Sequence, residues 1–99
     1  MLAFEIFVNG EKRITAGGDE YQSVNALLGL IRLPLPQPDG TIITVATSAL
    51  TPVPVRVALW PTLELAVGDR VEIRVVDAPA IDVPESVETP ERGEDDAGA

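Results

Sequence analysis

The side chains that could carry chemistry in this 99-residue chain are carboxylates, hydroxyls, Tyr21 and Lys12. The chain has no histidine, the commonest general base and zinc ligand, and no cysteine, the usual thiol nucleophile and thiolate ligand. No metal-ligand spacing, phosphate-binding loop or nucleophile motif is visible in the sequence. We therefore predict a protein that is not an enzyme and that binds no metal and no cofactor.

Charge is distributed unevenly along the chain, whose net charge is −9. Residues 1–76 contain eight acids and six bases, whereas residues 77–99 contain eight acids and a single base. Lys12-Arg13 is the only adjacent basic pair, so no basic face is available for phosphates and nucleic-acid binding is not expected. No apolar run approaches the ~20 residues of a membrane span and no signal peptide opens the chain, so we expect a soluble cytoplasmic protein.

The segment LELAVGDRVEIRVVD, residues 63–77, contains the one motif that resembles a ligand-binding turn, Gly68-Asp69. A two-residue hairpin loop there would place Val67 opposite Arg70, a core side chain against a charge, because opposite residues share a sheet face. Either the loop therefore has three residues, or residues 63–67 do not pair with the strand that follows; the short connection favours the second. In both cases Asp69 is expected to accept a main-chain N–H in the turn.

The first segment, LAFEIFV, alternates apolar and other residues and is followed by Asn9-Gly10, the strongest short hairpin signal. Lys12 to Thr15 forms the predicted returning strand. Asp19 and Gln22 then make a capping box, and an apolar stripe follows at i, i+3, i+4 and i+7. The predicted helix ends near Arg32, and its stripe consists of Val24, Leu27, Leu28 and Ile31.

The remaining segments TIITVATS and VRVAL, together with residues 71–77, are rich in β-branched residues and predict further strands. The sequence therefore predicts an α+β fold over residues 1–77, with an N-terminal hairpin, one helix packed on a mixed sheet, and then further strands. Residues 78–99 are predicted to form an acidic, proline-containing and disordered tail.

That tail has a three-residue period in both its acids and its apolar residues. Because polyproline II has three residues per turn, the acids would line one edge of such a segment. The pattern is typical either of a short linear motif for a basic, partly apolar groove or of a solvated tail that aids solubility. The acids of the period are Asp82, Glu85, Glu88, Glu91 and Glu94, and the apolar residues are Ile81, Pro84, Val87 and Pro90.

Four elements occur in an order that resembles the ubiquitin-like sulfur-carrier proteins of thiamin and molybdenum-cofactor synthesis: VNGE (8–11), ALLGLI (26–31), Trp60 and LxVGDRVEI (65–73). The resemblance spans roughly residues 4–76, extends to small uncharacterised bacterial proteins, and implies a β-grasp fold. The carriers end in Gly-Gly, whose carboxylate is adenylated and takes sulfur. Here the only Gly-Gly lies at 17–18, so the resemblance implies the fold and argues against the carrier reaction.

Several residues are candidates for binding a partner protein. Trp60 is either an exposed interface anchor beside Pro61 or a core residue between Leu59 and Leu63. Three alternating charged residues form the polar face of the last strand, and the tail supplies acids. The candidate partner-binding residues are Trp60, Arg70, Glu72, Arg74, Asp82, Glu85, Glu88 and Glu91.

These observations predict a non-catalytic protein-binding module or adaptor that acts on an unidentified protein through a sheet face, a sheet edge or its acidic tail. One alternative is a ubiquitin-like modifier or sulfur carrier that requires C-terminal processing, for example after Gly93. Another is an acidic inhibitor or immunity-type protein that masks a basic enzyme, which its charge would steer to it. The oligomeric state does not follow from the sequence.

Overall fold

A computed structural model of the chain describes residues 1–32 and 40–89, which form two antiparallel sheets. The smaller sheet has three strands in the order β2-β1-β7, and the larger has the order β3-β4-β5-β8 with β6 paired to β4. The strands are β1 (Leu2–Val8), β2 (Glu11–Gly17), β3 (Ser23–Arg32), β4 (Thr41–Pro52), β5 (Val55–Leu59), β6 (Leu63–Leu65), β7 (Val71–Asp77) and β8 (Ser86–Glu88).

The predicted N-terminal hairpin is confirmed. β1 pairs antiparallel with β2, and the two residues between them, Asn9 and Gly10, adopt φ angles of 54° and 85°. Positive φ at both positions is what a two-residue type I′ loop requires, and Asn-Gly tolerates it best. The hairpin places Ile6 and Ile14 opposite each other in the core.

The predicted helix over residues 19–32 is wrong, and with it the α+β, β-grasp-like fold class. Residues 23–32 form β3, which pairs with β4 over ten consecutive positions. Residues 1–32 and 40–89 contain no helix. Accordingly, no helix in that part of the chain is long and apolar enough to cross a membrane.

The physical reason is that the apolar pattern of this segment fits two periods. Val24, Ala26, Leu28 and Leu30 alternate along a strand as regularly as the helical stripe repeats, and periodicity alone does not separate the two for short segments. Gly29 disfavours a helix interior by about 1 kcal/mol. Residues 21–31 also carry no charge, so no i,i+4 ion pair supports a helix.

The core lies between the two sheets. From the three-stranded sheet come Ile6, Val8, Ile14 and Ala16, which are buried. The five-stranded sheet and its connections contribute buried residues from β4, β5 and β6 and from the β5–β6 connection: Val45, Ala49, Ala58, Trp60 and Leu63.

The pairing of β6 answers the question raised by the Gly68-Asp69 turn. β6 pairs with β4, with Leu63 opposite Val45, while β7 pairs with β1 in the other sheet. Residues 63–67 are therefore not the ladder partner of the strand that follows, which is the alternative that the short connection favoured. Leu63 is buried in the core, and the chain crosses from one sheet to the other at the turn.

Residues 78–89 return across the molecule after β7. The main-chain N–H and C=O of Thr15 in β2 pair with the Asp82 carboxylate and N–H, at 2.9 Å each. Farther on, β8 pairs antiparallel with β5. The predicted boundary at Asp77 stays a prediction, but residues 78–89 contact both sheets.

Two truncations measure what this segment contributes. A chain ending at Asp77 loses three hydrogen bonds of Asp82, roughly 1 kcal/mol each, and exposes Trp60, so we expect its unfolding free energy to fall by about 3 kcal/mol or more. A chain ending at Thr89 should match the full-length protein. Urea denaturation followed by the fluorescence of Trp60, the only tryptophan, gives both values. Equal stability of the two truncated chains would contradict a structural role for residues 78–89.

Candidate functional site

The Gly68-Asp69 turn is a structural clamp that joins two neighbouring turns at one end of the three-stranded sheet. Asp69 accepts hydrogen bonds from the Ala66 main-chain N–H at 2.8 Å and from the Asn9 side-chain amide at 3.0 Å. The Asn9 side-chain oxygen accepts from the Arg70 N–H, and the Arg70 carbonyl accepts from the Asn9 N–H. The hairpin turn of β1 and β2 is thereby joined to the turn that leads into β7.

These hydrogen bonds change the acidity of Asp69. The N–H of Ala66 and, secondly, the amide of Asn9 stabilise the ionised carboxylate and hold the pKa of Asp69 below its ordinary value of 3.8. The expected role of Asp69 as an acceptor in the turn is confirmed. All the donors to its carboxylate belong to the turn and the adjoining hairpin, so the geometry explains Asp69 without a ligand.

The three charged residues predicted to form a polar face, in β7 and just before it, are exposed to solvent, and two of them form an ion pair. The Arg74 guanidinium donates to the Glu72 carboxylate at 2.7 Å and stacks 4.3 Å from the centre of the Phe7 ring. The hydrogen bond from Arg74 lowers the pKa of Glu72. Arg70 is exposed and precedes β7. The arrangement is a charged, solvated sheet face, and an exposed pair of this kind contributes little to stability.

Trp60 lies in the core, with 2% of its surface exposed. Its indole N–H donates to the Asp82 carbonyl at 2.9 Å, and its ring meets Tyr21 edge to face, with 5.9 Å between the ring centres. This placement matches the alternative in which Trp60 fills the core. The hydrogen bond also meets the usual need of a buried indole N–H for a partner.

The predicted acidic residues of the tail lie in different surroundings. The Asp82 carboxylate bonds to β2, whereas Glu85 and Glu88 are exposed beside and within β8. Because residues 86–88 form a strand, the polyproline II conformation does not extend through them. Glu91 lies outside the described residues, as does Glu94.

The most unusual surface of the molecule was not found from the sequence. β3 is an edge strand of the five-stranded sheet, so one side of its main chain has no strand partner within the described residues. Four large apolar side chains of β3 are 53–68% exposed. We call this surface the β3 edge; it comprises the outer side of the β3 main chain and the side chains of Leu27, Leu28, Leu30 and Ile31.

The exposed side chains of the β3 edge lie on both faces of the sheet. Val24 and Ala26 pack against the core, so the alternation of side chains along a strand places Leu28 and Leu30 on the same face of the sheet. Both are exposed because they lie beyond the part of β3 that packs against the core. Leu27 and the other odd-numbered residues face the opposite side. An open groove of about 460 Å³ beside the end of β3 continues the apolar surface; its lining includes Leu30, Ile43, Leu65 and Val67.

Three other sheet edges in the described ranges have features that proteins commonly use against edge-to-edge association. Asp82 and its neighbours cover part of β2, β7 carries Glu72 and Arg74, and β8 has only three residues. β3 has ten residues and a single charge, Arg32 at its end. The signal that could have indicated this edge was the charge-free run 21–31, apolar at both odd and even positions.

No metal centre emerges from the described residues, in which no group of three or more potential ligands is placed to hold an ion. Searches against family models, curated proteins and solved structures found no match to this chain. The resemblance to sulfur carriers stays a prediction from the sequence, and the helix that it implied is absent from residues 23–32.

Replacing Asp69 tests the clamp. Asp69→Asn keeps the shape but exchanges one accepting oxygen for a donor, so we expect a lower urea midpoint at neutral pH. Because the pKa of Asp69 is lowered by folding, its stabilising effect is present above pH 3.8 and is lost as the pH falls through the lower folded pKa. The difference between Asp69→Asn and wild type should therefore shrink in acid. An unchanged neutral midpoint, equal to that of the exposed control Asp19→Asn, would contradict the clamp.

Proposed function

We propose that this protein is a non-catalytic protein-binding module that takes up an extended segment of another polypeptide at the β3 edge. The observation that carries the proposal is a ten-residue edge strand that exposes four large apolar side chains and carries only one charge. Large exposed apolar patches on soluble proteins commonly mark interaction sites. We propose that the module acts in the cytoplasm.

Strand addition would satisfy both kinds of exposed group in β3. The unpaired N–H and C=O groups along the outer side would pair with those of the incoming strand, which supplies affinity. Because the exposed side chains lie on both faces, the incoming strand could contact Leu28 and Leu30 on one face and Leu27 and Ile31 on the other. Such contacts supply specificity, since alternate side chains of the added strand meet different neighbours.

The acidic C-terminal part has a different role in this proposal. Residues 77–99 contain eight acids and one base, and among the described acids Glu85 and Glu88 are exposed. A negative surface accelerates the encounter with a basic partner, slows the encounter with an acidic one, and adds less to the affinity of the final complex. The β3 edge therefore holds the partner, and the acidic part affects how fast it arrives and how binding depends on salt.

The two alternative functions have weaker support. The only Gly-Gly of the chain lies at the end of β2, where Gly17 and Gly18 are buried, so it offers no free carboxyl terminus for a modifier or sulfur carrier. An acidic inhibitor of a basic enzyme is compatible with the charge, but that hypothesis leaves the apolar β3 edge unexplained.

Site-specific crosslinking in the native cell, followed by binding measurements, tests the proposal. A photo-reactive amino acid at Leu28 should capture a polypeptide that the same amino acid at Val83, 86% exposed on another surface, does not capture. For the purified pair, Leu28→Lys places a charge in the contact and should weaken binding about tenfold or more. Val83→Lys is the control and should have no effect. Equal binding of both variants would overturn the proposal.

A further inference from the structure

We propose that the strand that occupies the β3 edge is β3 of a second copy of this chain, paired antiparallel about a two-fold axis at Gly29. This inference rests on the proposed function, because it names the partner of the same edge. In a two-fold pair of this kind the same patch of each copy contacts the other, so the edge must be complementary to itself.

The sequence of β3 is complementary to itself in this register. With Gly29 on the axis, Leu28 lies opposite Leu30 of the second copy on one face, and Leu27 lies opposite Ile31 on the other. All four exposed side chains of the β3 edge thus meet large apolar partners, as stable cross-strand pairs do. Gly29 itself faces the Gly29 of the second copy.

Neighbouring registers match the residues less well. With Leu28 on the axis, Ile31 faces Asn25 and Leu27 faces Gly29. With Leu27 on the axis, Ile31 faces Ser23. Both arrangements leave Ile31 against a polar side chain, so the Gly29 register pairs the most large apolar side chains of these three.

The charges of the chain also permit this contact. Each copy carries a net charge of −9, yet residues 21–31 contain neither acid nor base. In the Gly29 register Arg32, the only charged residue of β3, lies opposite Ala26 of the second copy and not opposite the Arg32 of that copy. The pair therefore brings no like charges face to face, which would destabilise it.

The layered structure leaves room for the second copy. The core lies under Val24 and Ala26, at the start of β3, and the axis lies beyond this covered part. Ala26 of each copy is three residues from the axis, so the two covered regions are about 20 Å apart along the paired strands. A Cβ added at Gly29 meets nothing within 4 Å, so the axis position is open on each copy.

The size of the contact predicts a weak dimer. The four side chains, 53–68% exposed, provide on the order of 150–300 Å² of apolar surface in each copy. Even with the paired main chains added, the total lies below the roughly 1,200–2,000 Å² that stable specific interfaces bury, in the range of weak contacts. We therefore expect monomer and dimer to exchange at micromolar concentrations.

Single cysteines test the register, since the chain has no cysteine of its own. In Gly29→Cys the two cysteines would lie directly opposite, with Cα atoms about 5 Å apart, within the range that a disulfide spans. In Leu28→Cys they would be about 8 Å apart, beyond that range. With diamide as oxidant at micromolar protein, Gly29→Cys should form a covalent dimer, and Leu28→Cys should do so no more than Val83→Cys. A Gly29→Cys chain that forms no more dimer than Val83→Cys would overturn the proposal.

Paired charges give a second test that leaves Gly29 in place. Leu27→Lys and Ile31→Glu should each abolish the dimer in sedimentation equilibrium. The chain with both substitutions should dimerise again, because each lysine then lies opposite the glutamate of the other copy. Circular dichroism confirms that each variant is folded. A double variant as monomeric as the single ones would contradict the register.

The outcomes separate this inference from the function on which it rests. If Leu28 crosslinks in the cell to a different protein, and the wild-type chain sediments as a monomer up to millimolar concentration, the second copy is excluded and strand addition stands. If neither this chain nor any other polypeptide contacts Leu28, both proposals fail.

Discussion

The main-chain pairing of β4 is the interaction on which the rest of the structure depends. Its twelve residues pair with β3 on one side and with β5 and β6 on the other. From this position β4 directs Val45 and Ala49 into the core, and the main-chain carbonyl of its Thr47 accepts a hydrogen bond from the main-chain N–H of Trp60. Because β4 is paired on both sides and β3, among residues 1–32 and 40–89, on one, the same ladder that builds the sheet also creates the β3 edge.

Local signals explain most of the strands that the sequence predicted correctly. The Asn9-Gly10 hairpin needs only two residues that tolerate positive φ and alternating flanks. The role of Asp69 as an acceptor in its own turn is similarly local, although its bond to Asn9, sixty residues away, is not. The separation of residues 63–67 from β7 was favoured by two local features: the parity of the two segments, which excluded a two-residue loop, and the short connection between them.

The errors arose where distant pairing decides the outcome. The apolar pattern of residues 23–32 fits both a helix and a strand, and the ten-residue ladder with β4 decides between them. The exposure of the β3 edge also depends on distant pairing, because the order of the strands decides which of them lies at the edge of the sheet. It could therefore not be predicted from the sequence. One face of β3 packs on the core near Val24, whereas the far half of the strand exposes large apolar side chains, and this is the surface that the proposed strand addition would cover.

Nuclear magnetic resonance of residues 23–32 shows whether β3 is a strand whose outer side pairs only on association. We expect strand-type Cα shifts and, at low concentration, slow exchange only for those amide protons that point toward β4. The alternate, outward amide protons should gain protection as the protein concentration rises through the micromolar range. Helical Cα shifts, or outward amide protons whose exchange is independent of protein concentration, would contradict the account.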